Sequence, residues 1–229
     1  GLFVPDHIPA LDKSLSELTG MSYQQVAYEV MKLFLTDFTE EELKNCINNA
    51  YDSKFDTEKI APLVQADDAY YLELFHGSTI AFKDMALSIL PHLMITSARK
   101  NNIKNEIVIL TATSGDTQTG VKKIFSDKEL AKEMDEKGFQ FSSANSINIG
   151  RLVPQICYYV YAYAQLLKDG KITEGEKINV VVPTGNFGNI LAAFYAKNMG
   201  LPIDKLICAS NDNKVLYDFF RTGTYDRNR

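Results

Sequence analysis

Lys177–Gly200, KINVVVPTGNFGNILAAFYAKNMG, contains a strand, a glycine loop and a helix in one continuous run. KINVVVPT reads as the strand, GNFGN as the loop and ILAAFYAKNMG as the helix. Gly185 and Gly188 let the backbone turn sharply and approach a ligand closely, and the amides at the start of a helix from about Asn189 attract a phosphate. A Gly-x-x-Gly turn is weak evidence alone, but this one has the right strand before it and the right helix after it. It lacks the Gly-Lys-Ser/Thr of a P-loop, and it is not the dinucleotide fingerprint.

The same alternation extends in both directions. Lys205–Ser210 reads as a further strand and Val215–Phe220 as the start of a further helix. Upstream, Glu106–Thr113, EIVILTAT, is a β-branched apolar run suited to burial on both faces of a parallel sheet. Ser114, Gly115, Asp116 and Thr117 follow it, either as an anion-binding turn or as a strand-ending turn with Asp116 as a cap. The next residues do not read as the helix that such a turn should open. They read as a separate surface segment with a cap at Ser126, a capping-box Glu129 and a stop at Gly138, so a junction is expected near Thr117 and Gln118. From Ser142 to Leu167 a Ser/Asn-rich turn precedes a long helix interrupted by Pro154. Asn145, Ser146 and Asn148 with Arg151 could hydrogen-bond an anionic ligand, or the turn residues could be caps alone. Tyr158, Tyr159, Tyr161 and Tyr163 fall on more than one helical face, some for a core and others for a domain or subunit partner.

Leu72–Asp84, LELFHGSTIAFKD, places a lysine where chemistry is expected. Tyr70–Phe75 reads as a strand, His76–Thr79 as a turn and Phe82 to about Ala98 as a helix kinked or shortened by Pro91, with Ser78 or Thr79 as its cap. Lys83 sits among Ala81, Phe82, Met85, Ala86 and Leu87. Desolvation there would lower its pKa, as a Schiff-base lysine requires. The plain alternative is a solvated helix lysine partly paired with Asp84.

Before this stretch the chain reads as helical, with Ser22 capping a helix through Leu35 and Thr39 and Glu42 forming a capping box. Tyr28, Phe34 and Phe38 are packing residues, and Asp52, Asp56 and Glu58 form a solvated face. The expected division is residues 1–70, mainly helical, and 71–229, an α/β region. With 229 residues, 45% of them hydrophobic and 23% charged, the chain can bury a sizeable core. A formal net charge of -5 without a dense basic block argues against nucleic acid or an anionic membrane as partner. No apolar run approaches transmembrane length. Cys46, Cys157 and Cys208 lack metal or dithiol spacing and read as reduced core residues of a cytoplasmic protein. The opening GLFVP, without an initiator Met, reads as the middle of a turn and strand, which suggests residues before Gly1.

HGSTIAFKD, TSGDT, SSANSINIGR and PTGNFGNILAAFYAKNMGLPI together resemble the threonine synthase family, whose motifs read HGPTxAFKD, TSGDTG, SANSIN followed by Arg, and PSGNFGN. The resemblance covers most of the chain. It implies the fold of the tryptophan synthase β-subunit group, fold type II, with pyridoxal phosphate between two α/β domains. Carried over by position, Lys83 would be the Schiff-base lysine, and Gly185, Asn186, Phe187, Gly188 and Asn189 the cofactor phosphate loop. Ser78, Thr79, Ser114, Gly115, Asp116, Thr117, Asn145, Ser146, Asn148 and Arg151 would be substrate contacts. The implied reaction converts O-phospho-L-homoserine and water to L-threonine and phosphate. Ser78 stands where the family has Pro, Gln118 stands where it has Gly with several dozen residues missing beside it, and the family's C-terminal region is absent. Two rivals remain: a related lyase or dehydratase that keeps Lys83 and the glycine loop but releases a keto acid, and a non-catalytic fragment that binds a phosphorylated ligand or, through its helical face, a protein partner.

Overall fold

The computed structural model describes residues 4–110, 123–145, 148–183, 187–212 and 214–225, and the first of these stretches begins with helices set by their caps. Helices α1 (Leu15–Leu18), α2 (Tyr23–Met31) and α3 (Glu40–Ala50) each open on a complete capping box, Ser14 with Glu17, Ser22 with Gln25 and Thr39 with Glu42. Each box satisfies amides that the first helical turn leaves without partners. The sequence reading had only the last two caps. It also carried α2 to Leu35, whereas the helix stops at Met31 and the amides of Phe34 and Leu35 fold back onto the Met31 carbonyl. That turn brings Leu33, Phe34 and Leu35 against the core, beside Tyr28 and Phe38.

Strands β1 (Leu63–Ala66) and β2 (Ala69–Leu72) form an antiparallel hairpin, with Ala66 opposite Ala69 across an Asp67–Asp68 turn in which Asp67 has φ 51°. A two-residue hairpin loop needs positive φ, and Asp tolerates it. The expected strand through Phe75 ends at Leu72. The Glu73 amide still donates to the Pro62 carbonyl at 3.0 Å, but Pro62 has no N–H to return, so the ladder stops there. The single expected helix after Lys83 is two helices, α4 (Asp84–Leu87) and α5 (Leu90–Lys100), separated at Ser88 and Ile89. Pro91 lies in the first turn of α5, where its missing N–H would have had no helical acceptor.

Two parallel strand pairs follow. β3 (Glu106–Ile109) pairs with β4 (Phe139–Ser142), Glu106 opposite Phe139, and helix α6 (Lys128–Glu136) lies in the connection. The cap of α6 is Asp127, one residue beyond the expected Ser126, because its carboxylate accepts from two amides, those of Glu129 and Leu130. β5 (Ile178–Pro183) pairs with β6 (Ile203–Ala209), Val182 opposite Cys208. β4 had no counterpart in the sequence reading, which gave Ser142 and Ser143 to a turn.

Helix α7 (Ile149–Lys168) runs between β4 and β5 in the chain, and every residue from Arg151 to Leu166 is buried. Pro154 does not interrupt it. Helices α2, α4 and α8 (Gly188–Asn198) all pack against α7. Of the expected core, domain and subunit partners for its tyrosines, this enclosure supplies those within the chain: Tyr158, Tyr159, Tyr161 and Tyr163 are all buried, and Tyr161 meets Tyr23 of α2 edge to face. Helix α9 (Val215–Thr222) ends at Gly223, φ 71°, a left-handed C-cap suited to glycine. Cys46 and Cys157 are buried free thiols and Cys208 is half-buried. Among the described residues no helix is long and apolar enough to cross a membrane, and no group of His, Cys, Asp and Glu could hold a metal ion.

Candidate active site

The turn that carries Lys83 is held by the residue that follows the lysine. Asp84 is buried, and its carboxylate accepts from the Thr79 amide and the Thr79 hydroxyl, each at 2.7 Å. Thr79 is therefore held by the helix start instead of capping it, and Ser78 makes no cap bond either. The Ile80 amide donates to the Gly77 carbonyl at 3.0 Å, and Ile80 adopts φ 59°, a strained conformation for a β-branched residue. Gly77 is needed for close approach: a Cβ on it would lie 2.5 Å from Asp84 Cβ and 2.6 Å from Asp84 Oδ2.

Lys83 itself is exposed, which corrects the expectation of a desolvated amine. On α4 the side chains of Asp84, Met85 and Ala86 face inward, leaving Lys83 and Leu87 outward one helical turn apart. The amine has no hydrogen bond or ion pair among the described residues, and Asp84 is committed to Thr79. Exposed Ile80, Phe82 and Leu87 are its near neighbours in sequence. A second anchor holds the helix behind it, where the buried Tyr51 hydroxyl donates to the Met85 carbonyl at 2.7 Å. With α4 ending at Leu87, the Met85 carbonyl depends on that hydroxyl. Tyr51→Phe should therefore lower unfolding stability by about 1–2 kcal/mol. A urea midpoint equal to that of the parent chain would remove this anchor from the account.

At the other end of the turn, His76 stands between two carboxylates, Nδ1 on Asp56 at 2.5 Å and Nε2 on Glu73 at 3.0 Å, with Phe75 stacked on its ring. Burial opposes its charge, but the bonds to Glu73 and Asp56 outweigh burial and raise its pKa above the ordinary histidine value. A raised folded-state pKa gives stability that is fully present below the unfolded value of about 6.5 and is lost as pH rises through the folded value. Stability should thus fall on raising pH from 6 to 9, and His76→Gln should flatten that part of the profile. An unchanged slope in the variant would assign the dependence to other groups.

Arg151 and Asn148 occupy the start of α7. Asn148 is the cap, accepting from the Gly150 amide at 2.8 Å and donating to the Ser143 carbonyl at 2.7 Å. Asn145 is exposed, and its carbonyl accepts from the Asn148 amide. Arg151 is 6% exposed, and its Nη1 donates to the Ala144 carbonyl at 2.7 Å, while its buried Nε has no partner. Burial lowers the pKa of this guanidinium from its ordinary value, and among the described residues no carboxylate is bonded to it. A half-satisfied buried cation of this kind can receive an anionic oxygen.

The third group lies where β5 leads into α8. Phe187 is the cap residue of α8 with φ 62°, and Gly188 and Asn189 begin the helix. The Asn189 side chain is bonded by two phenols of α7: Tyr158 donates to Oδ1 at 2.8 Å, and Tyr159 donates to the same oxygen. Ser114, Gly115, Asp116, Thr117, Ser146, Gly185 and Asn186, all singled out in the sequence, lie outside the described residues. The sequence reading missed Gly77, Asp84, Tyr51, Gln155, Tyr158 and Tyr159 as supports of the site. Only the Gly77–Thr79–Asp84 set carried a local signal, a glycine turn with a carboxylate five residues beyond its threonine.

Comparison with known proteins places this arrangement. Residues 1–51 match the family model described as threonine synthase N terminus. The chain is 36% identical over 290 aligned positions to threonine synthase-like 1 of Homo sapiens, which covers 99% of this chain and 39% of that protein. It is 33% identical to threonine synthase of Schizosaccharomyces pombe, covering 99% of this chain and 55% of that one. The crystal structure of PLP-bound threonine synthase from Brucella melitensis superposes with TM-score 0.84 at 29% identity, covering 99% of this chain and 58% of the other. The chain thus spans about half the length of the relatives it matches. Because 290 aligned positions accommodate a chain of 229 residues, these relatives carry several dozen residues within the aligned region that have no counterpart here. In sequence and in α/β fold, the chain is similar to threonine synthases over 99% of its own length.

Proposed function

We propose that this chain carries the pyridoxal phosphate site of a threonine synthase, which converts O-phospho-L-homoserine and water to L-threonine and phosphate. The observation that carries the reading is the unpaired amine of Lys83 at the end of a turn locked by Asp84 and Thr79, within HGSTIAFKD. The donor set fits a phosphorylated aldehyde cofactor. Among the described residues, Lys83 offers an amine without a competing carboxylate, the start of α8 offers amides and the Asn189 side chain, and Arg151 offers a buried N–H with no partner. Lys83 would attach the cofactor, and Gly185, Asn186, Phe187, Gly188 and Asn189 would hold its phosphate. When bound, pyridoxal phosphate supplies an electron sink for the pair left on a deprotonated substrate carbon.

The residues of the chain do the rest. The Lys83 amine would be the base that removes the Cα proton and then a proton at Cβ. Arg151, with Asn145, Ser146 and Asn148, would receive the anionic part of the substrate, and Ser78, Thr79, Ser114, Gly115, Asp116 and Thr117 would be further contacts to substrate or cofactor. Loss of phosphate from Cγ would be balanced by a proton delivered to that carbon, which becomes the methyl group; water would then add its oxygen at Cβ, and return of a proton to Cα would complete L-threonine. The division into residues 1–70 and 71–229, a cytoplasmic location and a role in threonine biosynthesis belong to the same proposal.

The test is a product assay with O-phospho-L-homoserine and pyridoxal phosphate. Stoichiometric L-threonine and phosphate are expected. A keto acid in place of threonine would reassign the chain to a related lyase or dehydratase, and cofactor binding without turnover would leave it a ligand-binding member of the family.

A further inference from the structure

Beyond Arg151, α7 carries Gln155, Tyr158 and Tyr159 at spacings of three and four residues, so these side chains share one side of the helix, and all are buried. They form a connected polar line through an otherwise apolar core. Gln155 Nε2 donates to the Arg151 carbonyl at 2.7 Å, the Tyr158 hydroxyl lies 3.2 Å from Gln155 Oε1 and 2.8 Å from Asn189 Oδ1, and the Tyr159 hydroxyl is bonded to the same Asn189 oxygen. Tyr158 has one proton for two acceptors, and the shorter contact directs it to Asn189. Burial pushes both phenols above their ordinary range, so both stay protonated donors.

A carbonyl oxygen has two lone pairs, and two phenols fill both. The Asn189 amide is thereby fixed with its oxygen toward α7. Its nitrogen has no partner among the described residues and is left to donate elsewhere. Burying two hydroxyls in a core is costly unless each is bonded, and here both bonds go to a single residue at the start of α8.

We propose that Tyr158 and Tyr159 are positioning residues that orient the Asn189 side-chain amide so that its N–H groups donate to the phosphate of the bound cofactor. The proposal rests on the pyridoxal phosphate reading above and adds the means by which the site holds its anion.

The experiment is a titration of the full chain with pyridoxal phosphate, followed by cofactor absorbance, with pyridoxal, which lacks the phosphate, run in parallel. Tyr159→Phe should weaken pyridoxal phosphate binding about tenfold, the effect of one bond to a charged group, and leave pyridoxal binding unchanged. Asn189→Ala should show the same pattern, and the double variant should lose no more than Asn189→Ala alone, because the phenol acts through the amide. Tyr158→Phe provides an independent second cycle should Tyr159→Phe fail to fold. Multiplying losses in the double variants would overturn the proposal. So would a fall in thermal midpoint with cofactor affinity unchanged, or equal weakening of pyridoxal and its phosphate. A parent chain that takes up no pyridoxal phosphate would instead remove the underlying cofactor reading, and that result is visible before any variant is made.

Discussion

Lys83→Ala is expected to lower turnover of O-phospho-L-homoserine by at least about a thousandfold, the scale set by losing a positioned acid–base group that also anchors the cofactor. The variant is unusually clean. Lys83 is exposed and its amine bonds to nothing among the described residues, so its removal should change stability by less than about 0.5 kcal/mol. Catalysis and folding are therefore separated in one substitution. Threonine formation and the lysine-bound cofactor absorbance should vanish together, while the thermal midpoint of the cofactor-free protein holds. Full activity in the variant would reject Lys83 as the reacting amine.

Gly77→Ala should damage both properties at once. The added carbon would lie 2.5 Å from Asp84 Cβ and 2.9 Å from Asp84 Cγ, atoms that a rotamer change cannot carry far enough. Either Asp84 withdraws and strands its buried carboxylate without Thr79, or the turn backs away and carries Lys83 with it. Overpacking of this kind costs about 1–3 kcal/mol. A displacement of the reacting amine by about an ångström costs on the order of a hundredfold in rate. Denaturant unfolding and turnover measured on the same preparation check both effects. Retention of both would show that the Gly77–Asp84 contact does not seat the lysine.

What was legible in the sequence was local. The strand before the glycine loop, the helix after it and the caps at Ser22 and Thr39 are written in adjacent residues, and the structure keeps them as β5, α8 and the starts of α2 and α3. The hairpin was not legible, because LVQA is only four residues long and its pairing with AYYL depends on a two-aspartate turn with positive φ at Asp67. Strand β4 was hidden because half of it is polar and it is defined by its partner β3. In the site, the position of Lys83 was readable but its exposure was not, since neighbours in sequence do not tell which face of a four-residue helix turns inward. Arg151 reads as a candidate donor to an anionic ligand, but its burial was not legible, because it comes from elements distant in sequence that pack on α7. The tyrosines of α7 read as residues for a core and for a domain or subunit partner, with no chemistry assigned to them. Their second role, bonding to Asn189 about thirty residues away, exists only once α8 lies against α7.

The most direct test of the central claim is borohydride reduction of the protein in the presence of pyridoxal phosphate, followed by mass spectrometry of the intact chain and of its peptides. A single pyridoxyl adduct on the peptide that contains Lys83, absent in Lys83→Ala, is the expected result. An unmodified Lys83 peptide, or reduction products spread over several surface lysines, would contradict the assignment.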